Sequence, residues 1–384
     1  MKWFNYEEMK VLLFGLVAVI VLGGGSAKAD FTFGEPVNLG PAINSSGQEF
    51  GPQIWADGLS LRFERCSNWS GPYEVVLATR PTRQDSWNAP VSVGLTLCGG
   101  CTDPAVLYES ITVIPGLTTS DGLELYFNET GPDSYGGTDL YMLQRQTVDA
   151  DWGEAVNLGP VVNTSADEIS PTISPDGLEL YFSGYWSEVR PGGYGNADLW
   201  VTTRQTRDDP WTEPVNLGPT VNTAKQDARP CISADGLVLF FDSLRPGGSG
   251  SADLYMMRRA TRLDTWQKPV NLGPIVNGSG WEECAFPSAD GSALFFDTDS
   301  PWPGGYGGAD IWQAPIIPIC DFNGDGNIDT DDLLIMIDNW GTDESLCDIG
   351  PMPWGDGIVD IEDLKVFIKY WEQENMPQET DDGE

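Results

Sequence analysis

The sequence has 384 residues, 58 of them acidic and 20 basic, for a formal net charge of −38, and it contains no histidine. A negative charge of that size excludes nucleic acid and anionic lipid as partners, and the lack of histidine excludes Ser-His-Asp and Cys-His catalysis and every His-ligated metal site. Divalent cations and neutral ligands such as sugars remain, and the length suffices for one large domain and a small one.

Residues 1–29 read as a signal peptide. Lys10 precedes the twelve-residue apolar run VLLFGLVAVIVL, too short to span a bilayer comfortably, and the small residues Ala27 and Ala29 suit a signal peptidase. Glu7 and Glu8 interrupt the usual positive region, which a start at Met9-Lys10 would restore. Cleavage after Ala29 is expected, giving a secreted, extracellular or cell-surface protein without stable membrane insertion; an uncleaved anchor is the alternative. Cleavage removes three lysines and two glutamates and moves the net charge to −39.

Residues 30–316 are built on a repeat. Asp-Gly recurs at Asp57, Asp121, Asp176, Asp235 and Asp290, within a unit such as WTEPVNLGPTVN, PCISADGLVLFF and RPGGSGSADLYMMRR. Each unit holds short runs of period-two alternation, split by an Asp-Gly turn and a glycine-rich loop, with no helical periodicity. That period predicts an all-β, five-bladed β-propeller with about four strands per blade. PVNLGP precedes the first Asp-Gly (Pro36 to Pro41), and nothing like it follows ADIWQAP in the fifth unit. Residues near 33–40 are therefore expected to complete the blade formed by about 285–315, closing the ring without an exposed seam.

SPDGLELYF and GGADLW resemble the Pro-Asp type of WD-related repeat found in TolB-like propellers, over roughly residues 33–315. Blade 2 departs from the pattern, with VSVGLTLCGGCTDP in place of the NLGP element. The resemblance implies a fold; propellers of this kind host binding, scaffolding and catalysis alike.

Asp139, Asp198, Asp253 and Asp310, with Glu74 in the first blade, each precede a strand after a glycine-rich loop, where a carboxylate accepts backbone N–H bonds and holds the loop. The Asp-Gly aspartates are turn formers, and Trp87, Trp152, Trp211 and Trp266 are expected to pack between blades. Eight residues before each Asp-Gly stand Glu49, Val113, Glu168, Asp227 and Glu282. Four of these are acids at the start of the innermost strand, expected to ring one mouth of the central channel. They could bind a cation, bond sugar hydroxyls or supply an acid/base pair, or be solvated strand ends. Tyr135, Tyr194 and Tyr306 recur beside glycine pairs, where an exposed ring could stack on a sugar or simply pack in its loop.

All seven cysteines lie beyond the signal segment, where disulfides can form. Cys98-Gly-Gly-Cys101 lacks both the βαβ context of a redox motif and a second CxxC for zinc, so a loop staple or two thiols is the simpler expectation. Cys320 and Cys347 each stand one residue before an aspartate-led loop and are expected to pair; Cys231 with Cys284 is a further candidate.

Residues 317–372 change character. Asp321, Asn323 and Asp325 offer oxygens at positions 1, 3 and 5 of a calcium loop, and Gly326 permits the turn at position 6. Asn327 contributes its carbonyl at position 7, Asp329 stands at position 9 and Asp332 closes the loop at position 12. No helix precedes the loop, because APIIPI carries prolines, but DDLLIMIDNW follows it as a helix. The unit repeats, with Trp371 eight residues after Asp363 as Trp340 is after Asp332.

Two such loop-helix units resemble a type I dockerin, over about residues 319–372. The resemblance implies calcium in both loops and a cohesin-like partner. Asp348, Asp356, Ile358, Asp360 and Asp363 would form the second site. Asp348 lies eight residues before Asp356 where four are expected, so the PMPW insertion is expected to distort or weaken it. The positions that select the cohesin in the family are Thr330-Asp331 and Ile361-Glu362; their dissimilarity argues against a symmetric two-way binding mode. Calcium would stabilise a core this small. The acidic residues 373–384 have the composition of a disordered tail.

The expectation from residues and resemblance together is a secreted, calcium-binding docking protein whose propeller binds polysaccharide within an extracellular assembly. The main alternative is a glycoside hydrolase using Glu49, Glu168, Asp227 and Glu282 as acid and base or nucleophile. A third is an adhesion or scaffold protein.

Overall fold

The computed structural model describes residues 31–67, 73–96, 116–185, 189–259, 261–323, 327–342, 347–350 and 358–375. The signal segment, residues 376–384 of the acidic tail, Cys98, Cys101, Val113, Asp325 and Asp356 lie outside them; the first three residues of that tail, 373–375, are helical rather than disordered. Among the described residues no helix is long and apolar enough to cross a membrane. The chain divides into two compact units, Thr32–Ile317 and one that includes Pro318–Glu384.

The larger unit is an all-β five-bladed propeller. The first blade is β3 (Gln48–Ile54), β4 (Ser60–Cys66), β5 (Tyr73–Thr79) and β6 (Val91–Thr96), each antiparallel to the next. The second comprises β7 (Glu124–Glu129), β8 (Asp139–Gln144) and β9 (Val156–Asn157); of its inner strand the structure describes only the bridge from Thr118 to Leu125. The third is β10 (Glu168–Ile173), β11 (Glu179–Gly184), β12 (Leu199–Thr203) and β13 (Val215–Asn216). The fourth is β14 (Asp227–Ile232), β15 (Val238–Ser243), β16 (Asp253–Arg258) and β17 (Val270–Asn271). The fifth is β18 (Glu282–Pro287), β19 (Ala293–Thr298) and β20 (Asp310–Pro318).

The N-terminal segment closes the ring, as the phase of the repeat predicts. Strand β1 (Phe31–Phe33) borders β20, and β2 (Val37–Asn38) pairs with it in the register Val37 to Gln313 and Asn38 to Trp312. The innermost strands of neighbouring blades pack on one another, β3 against β18, β10 against β14 and β14 against β18. Apolar clusters fill the spaces between blades: Phe241, Tyr255 and Tyr181 share one, and Tyr126, Phe182 and Trp200 another.

The Asp-Gly turns form by the expected chemistry. Each aspartate accepts the N–H two residues on, from Leu59, Leu123, Leu178, Leu237 or Ser292. The glycines that follow sit at positive φ, between 60° and 80°, which a side chain would oppose. The tryptophans join blades. Arg80, Arg145, Arg204 and Arg259 lie over Trp87, Trp152, Trp211 and Trp266 at 4.2–4.5 Å. Trp211 meets Tyr126 of the preceding blade edge-on, as Trp266 meets Tyr181.

The smaller unit holds helices α1 (Thr330–Asp338) and α2 (Ile361–Asn375) over a core that includes Phe322, Met336, Val359 and Phe367. Cys320 and Cys347 belong to that core as thiols and the predicted disulfide does not form. Both are buried among apolar side chains and pack as small hydrophobic groups, with Asn339 Nδ2 donating to Cys347 Sγ at 3.9 Å. Cys231 and Cys284 are likewise thiols: Thr172 hydrogen-bonds the first, and the second lies against Asp297.

Candidate functional site

The four predicted mouth carboxylates do not face an open channel. Glu49, Glu168, Asp227 and Glu282 are all 0% exposed. Ser45 donates to Glu49 from its N–H and hydroxyl at 2.9 and 2.5 Å, and Thr164 treats Glu168 the same way at 3.0 and 2.5 Å. Thr223 donates twice to Asp227, which also accepts from Ser243 and from Arg245 at 2.6 Å. Arg190 reaches Glu168 at 2.6 Å with both side chains buried. In the fifth blade Gly278 stands where the others have Ser or Thr, and Glu282 takes hydroxyls from Thr298 and Ser300 at 2.6 Å instead. Burial raises the pKa of Glu49, Glu168 and Glu282. These acids tie the start of each inner strand to the preceding connection. The signal for this was Asn-Ser/Thr four residues upstream, a local cap rather than a surface ring.

The loop aspartates do what their position predicts. Asp139 accepts from Tyr135 N–H at 2.8 Å, Asp253 from Ser249 and Gly250 at 2.7 and 2.9 Å, and Asp310 from Tyr306 at 2.6 Å. Asp198 holds Tyr194 and Gly195 in the same way. Each also accepts from an asparagine of the VN strand: Asn157, Asn216, Asn271 or Asn38. Glu74 differs, pairing with Arg65 at 2.7 Å. The tyrosines carried by these loops are about half exposed, Tyr135 51%, Tyr194 53% and Tyr306 47%. Antiparallel topology puts these loops, the starts of the inner strands and the ends of the second strands at one end of the propeller.

A cluster that sequence reasoning missed lies on the inner strands near that end. Each of the four fully described inner strands carries a bulge whose residue has positive φ: Gly51 at 63°, Ser170 at 53°, Arg229 at 50° and Cys284 at 53°. Side chains there are strained, and strain of this kind gathers at functional sites. In three blades the bulge N–H donates to a polar side chain of the preceding blade: Gly51 to Asp297, Ser170 to Asn128 and Arg229 to Ser183. Those acceptors stand seven residues after the aspartate of Asp-Gly, where the repeats read Glu64, Asn128, Ser183, Asp242 and Asp297. A polar residue at that place in an otherwise apolar strand was the signal available.

In the fourth and fifth blades the arrangement collects charge. Arg229 Nη1 lies 3.0 Å from Asp242 Oδ2 and 2.9 Å from Glu283 Oε1. Asp242 and Asp297 are buried, the Arg229 side chain is 29% exposed and that of Glu283 15%. Burial pushes Asp242 up to about 7, with Arg229 opposing and Glu283 reinforcing the shift. Burial and Glu283 hold Asp297 well above the usual carboxylate range. Arg229 is raised by Asp242 and Glu283 against the cost of its own burial. Carboxyls with raised pKa beside a guanidinium-paired carboxylate are the raw material of general acid–base chemistry.

In the smaller unit, Asp332 is buried and accepts from Asn323 and Asp329 N–H at 3.1 and 3.0 Å, closing the first loop onto the start of α1. Asp329 caps the helix. Asp363 closes the second loop alike, accepting from Ile349, Gly350 and Asp360 at 2.6–2.7 Å. The two closures match; the PMPW insertion falls in residues 351–357, outside those described. Asp321, Asp348 and Asp360 flank the closures, Asn327 and Ile358 are exposed, and so are Thr330, Asp331 and Ile361, with Glu362 half-buried. Among the described residues no three acidic, cysteine or histidine side chains are gathered closely enough to hold a metal.

No protein-family model matches the sequence, and no curated protein is similar to it. Solved structures align with the chain at low identity. A thermostable family-43 glycoside hydrolase aligns at 13% identity and TM-score 0.44, over 72% of this chain and 91% of its own. An α-L-arabinofuranosidase from Lactobacillus brevis aligns at 16% and 0.43, over 71% and 91%. The α-L-arabinofuranosidase of Podospora anserina, solved with cellotriose, aligns at 12% and 0.43, over 75% and 96%.

Proposed function

We propose that the protein is a secreted glycoside hydrolase acting on a neutral polysaccharide, with its acid and base drawn from Glu283, Asp297 and Asp242 beside Arg229. One observation carries this reading: three carboxyl groups and a guanidinium gather on the inner and second strands of two adjacent blades, and burial raises the pKa of two of the acids. A protonated carboxyl can donate to the glycosidic oxygen while an ionised one activates water or attacks the sugar. Glu283, the most exposed of the three acids, is the residue placed to meet substrate. The buried Glu49, Glu168, Asp227 and Glu282 hold the strands and take no part. The test is release of reducing sugar from a panel of neutral polysaccharides, comparing the protein with E283Q and D297N variants of unchanged melting temperature. A loss of about 10²-fold or more in the variants is expected. No release by the parent protein, or equal release by the variants, overturns the reading.

The exposed tyrosines favour a second reading, a non-catalytic polysaccharide-binding platform. Binding that is lost in a Y135A/Y194A/Y306A variant, with no hydrolysis by the parent, would select it.

We infer further that the C-terminal unit is a calcium-dependent docking module for a cohesin-like partner. Hard oxygen donors at loop spacing support it, as do two matching loop closures. Asp321, Asn323, Asp325, Asn327, Asp329 and Asp332 would hold one calcium, and Asp348, Asp356, Ile358, Asp360 and Asp363 the second. Thr330, Asp331, Ile361 and Glu362 would meet the partner. Calorimetry of the full-length protein with calcium tests this, and the absence of saturable binding refutes it.

A further inference from the structure

The end of the propeller that carries the Asp-Gly turns holds the same arginine–acid junction at two blade contacts, and a third contact keeps both arginines without the glutamate. Where the third blade meets the second, Arg204 and Arg207 both reach Glu124, at 2.5 and 3.3 Å, and Arg207 also reaches Asp121 of the Asp-Gly turn. Where the fourth meets the third, Arg259 takes both oxygens of Glu179 at 2.5 and 3.0 Å, and Arg262 takes Asp176. The rule is an Arg-x-x-Arg pair from one blade clasping an aspartate and, three residues later, a glutamate from the blade before.

At the closure junction, where the first blade meets the fifth, the arginines are Arg80 and Arg83 and the turn aspartate is Asp290, which Arg83 binds. The glutamate is missing: Ala293 occupies its place. A cavity of about 300 Å³ opens there, lined by both arginines, Asp290 and the polar side chains of Gln84, Ser288, Ser292 and Gln313. Arg80 Nε donates to Gly58 carbonyl oxygen at 2.9 Å and its guanidinium lies over Trp87. Among the described residues no carboxylate pairs with it, and its pKa is lowered by burial and by Arg83. Asp290 is committed to Arg83, Ser288 and Ser292. The pocket therefore carries a net positive charge in a protein whose own charge is −38.

We propose that this pocket binds a carboxylate-bearing ligand, with Arg80 receiving the carboxylate that a glutamate supplies at the other junctions. The volume is at the lower end of small-molecule clefts, roughly 300–1,000 Å³. The hydroxyl and amide lining suits a polyhydroxy acid of the sugar-acid class, and a guanidinium favours planar carboxylate geometry. The site lies at the opposite end from the acidic cluster and stands whether or not that cluster hydrolyses anything.

The test is calorimetry and thermal shift of the full-length protein with sodium D-glucuronate, with D-glucose and inorganic phosphate as comparisons. Glucuronate is expected to bind saturably and raise the melting temperature, whereas glucose does neither. R80Q should weaken binding by about tenfold or more. A293E restores the missing glutamate, so it should abolish binding while raising the melting temperature of the unliganded protein. Because A293E is expected to stabilise, loss of binding in it cannot be put down to unfolding. Absence of binding by the parent protein, equal binding of phosphate, or unchanged glucuronate binding by A293E overturns the proposal.

Discussion

Replacing Glu168 by alanine separates the architectural role of the inner-strand acids from a catalytic one. Glu168 is fully buried, and its carboxylate takes the Thr164 N–H, the Thr164 hydroxyl and Arg190 at 2.6 Å. Truncation strands the Arg190 guanidinium, 6% exposed, with only the Val162 carbonyl oxygen at 2.7 Å. Breaking a buried ion pair from one side costs about 3–5 kcal/mol. Glu49 sits in the same cradle, held by Ser45, but among the described residues makes no salt bridge to an arginine. E49A should cost about 1–3 kcal/mol, the loss of its hydrogen bonds. For a unit of this size the E168A melting temperature should fall by roughly 6–20 °C, and E49A by clearly less. Burial raises the pKa of Glu168 and lowers that of Arg190, so both charged forms are disfavoured by leaving water. The double variant E168M/R190M should therefore recover most of the loss. Differential scanning calorimetry with urea unfolding reads all four proteins. Equal destabilisation by E168A and E49A, or no recovery in the double variant, would refute the ion-pair account.

The acidic cluster predicts a pH dependence. Asp242 is raised from 3.8 to about 7 in the folded state, so the native protein holds its proton more tightly than the unfolded chain. Its contribution to stability is full below the unfolded value and is lost as pH rises through about 7. The melting temperature should fall across that range in the parent protein and be flatter in D242N; identical profiles would contradict the shift. Asp198 holds the Tyr194 loop through Gly195 N–H and Asn216. D198A should accelerate amide exchange over residues 190–197 and leave the other loops unchanged. Chelation should lower the helical circular dichroism of the C-terminal unit and calcium should restore it, whereas no change would argue against calcium-coupled folding.

The sequence was informative wherever a local rule and the repeat agreed. Asp-Gly turns, VN strands and the missing outer strand of the fifth unit predicted the blades and their closure at Val37 and Asn38. The loop aspartates were legible because their partners lie within four residues along the chain. Glu168 was misleading for the same reason that it recurs: repeat symmetry placed a carboxylate at four of the five inner-strand starts. Only three dimensions revealed Arg190 across the loop. The Arg229 cluster was hidden because its members come from four strands of two blades. No spacing along the chain joins Asp242 to Glu283. The predicted Cys320–Cys347 bridge failed because shared position in two loops does not bring two sulfurs into bonding geometry.

The two sites proposed for the propeller both arise where the repeat breaks its own pattern. A repeat that obeys its rules satisfies itself: the arginines of the third and fourth blades meet glutamates, and the bulge at Ser170 meets Asn128. Exceptions leave chemistry unspent. Arginine and cysteine at positive φ, where blade 1 has glycine, carry strain that local packing does not explain. They coincide with the blades whose acceptors are the aspartates 242 and 297. Ala293 in place of glutamate leaves Arg80 without an acid at the one junction formed by chain closure. Burying a guanidinium without a carboxylate is unfavourable. An arginine pair facing a cavity there is suited to a ligand that supplies the missing charge.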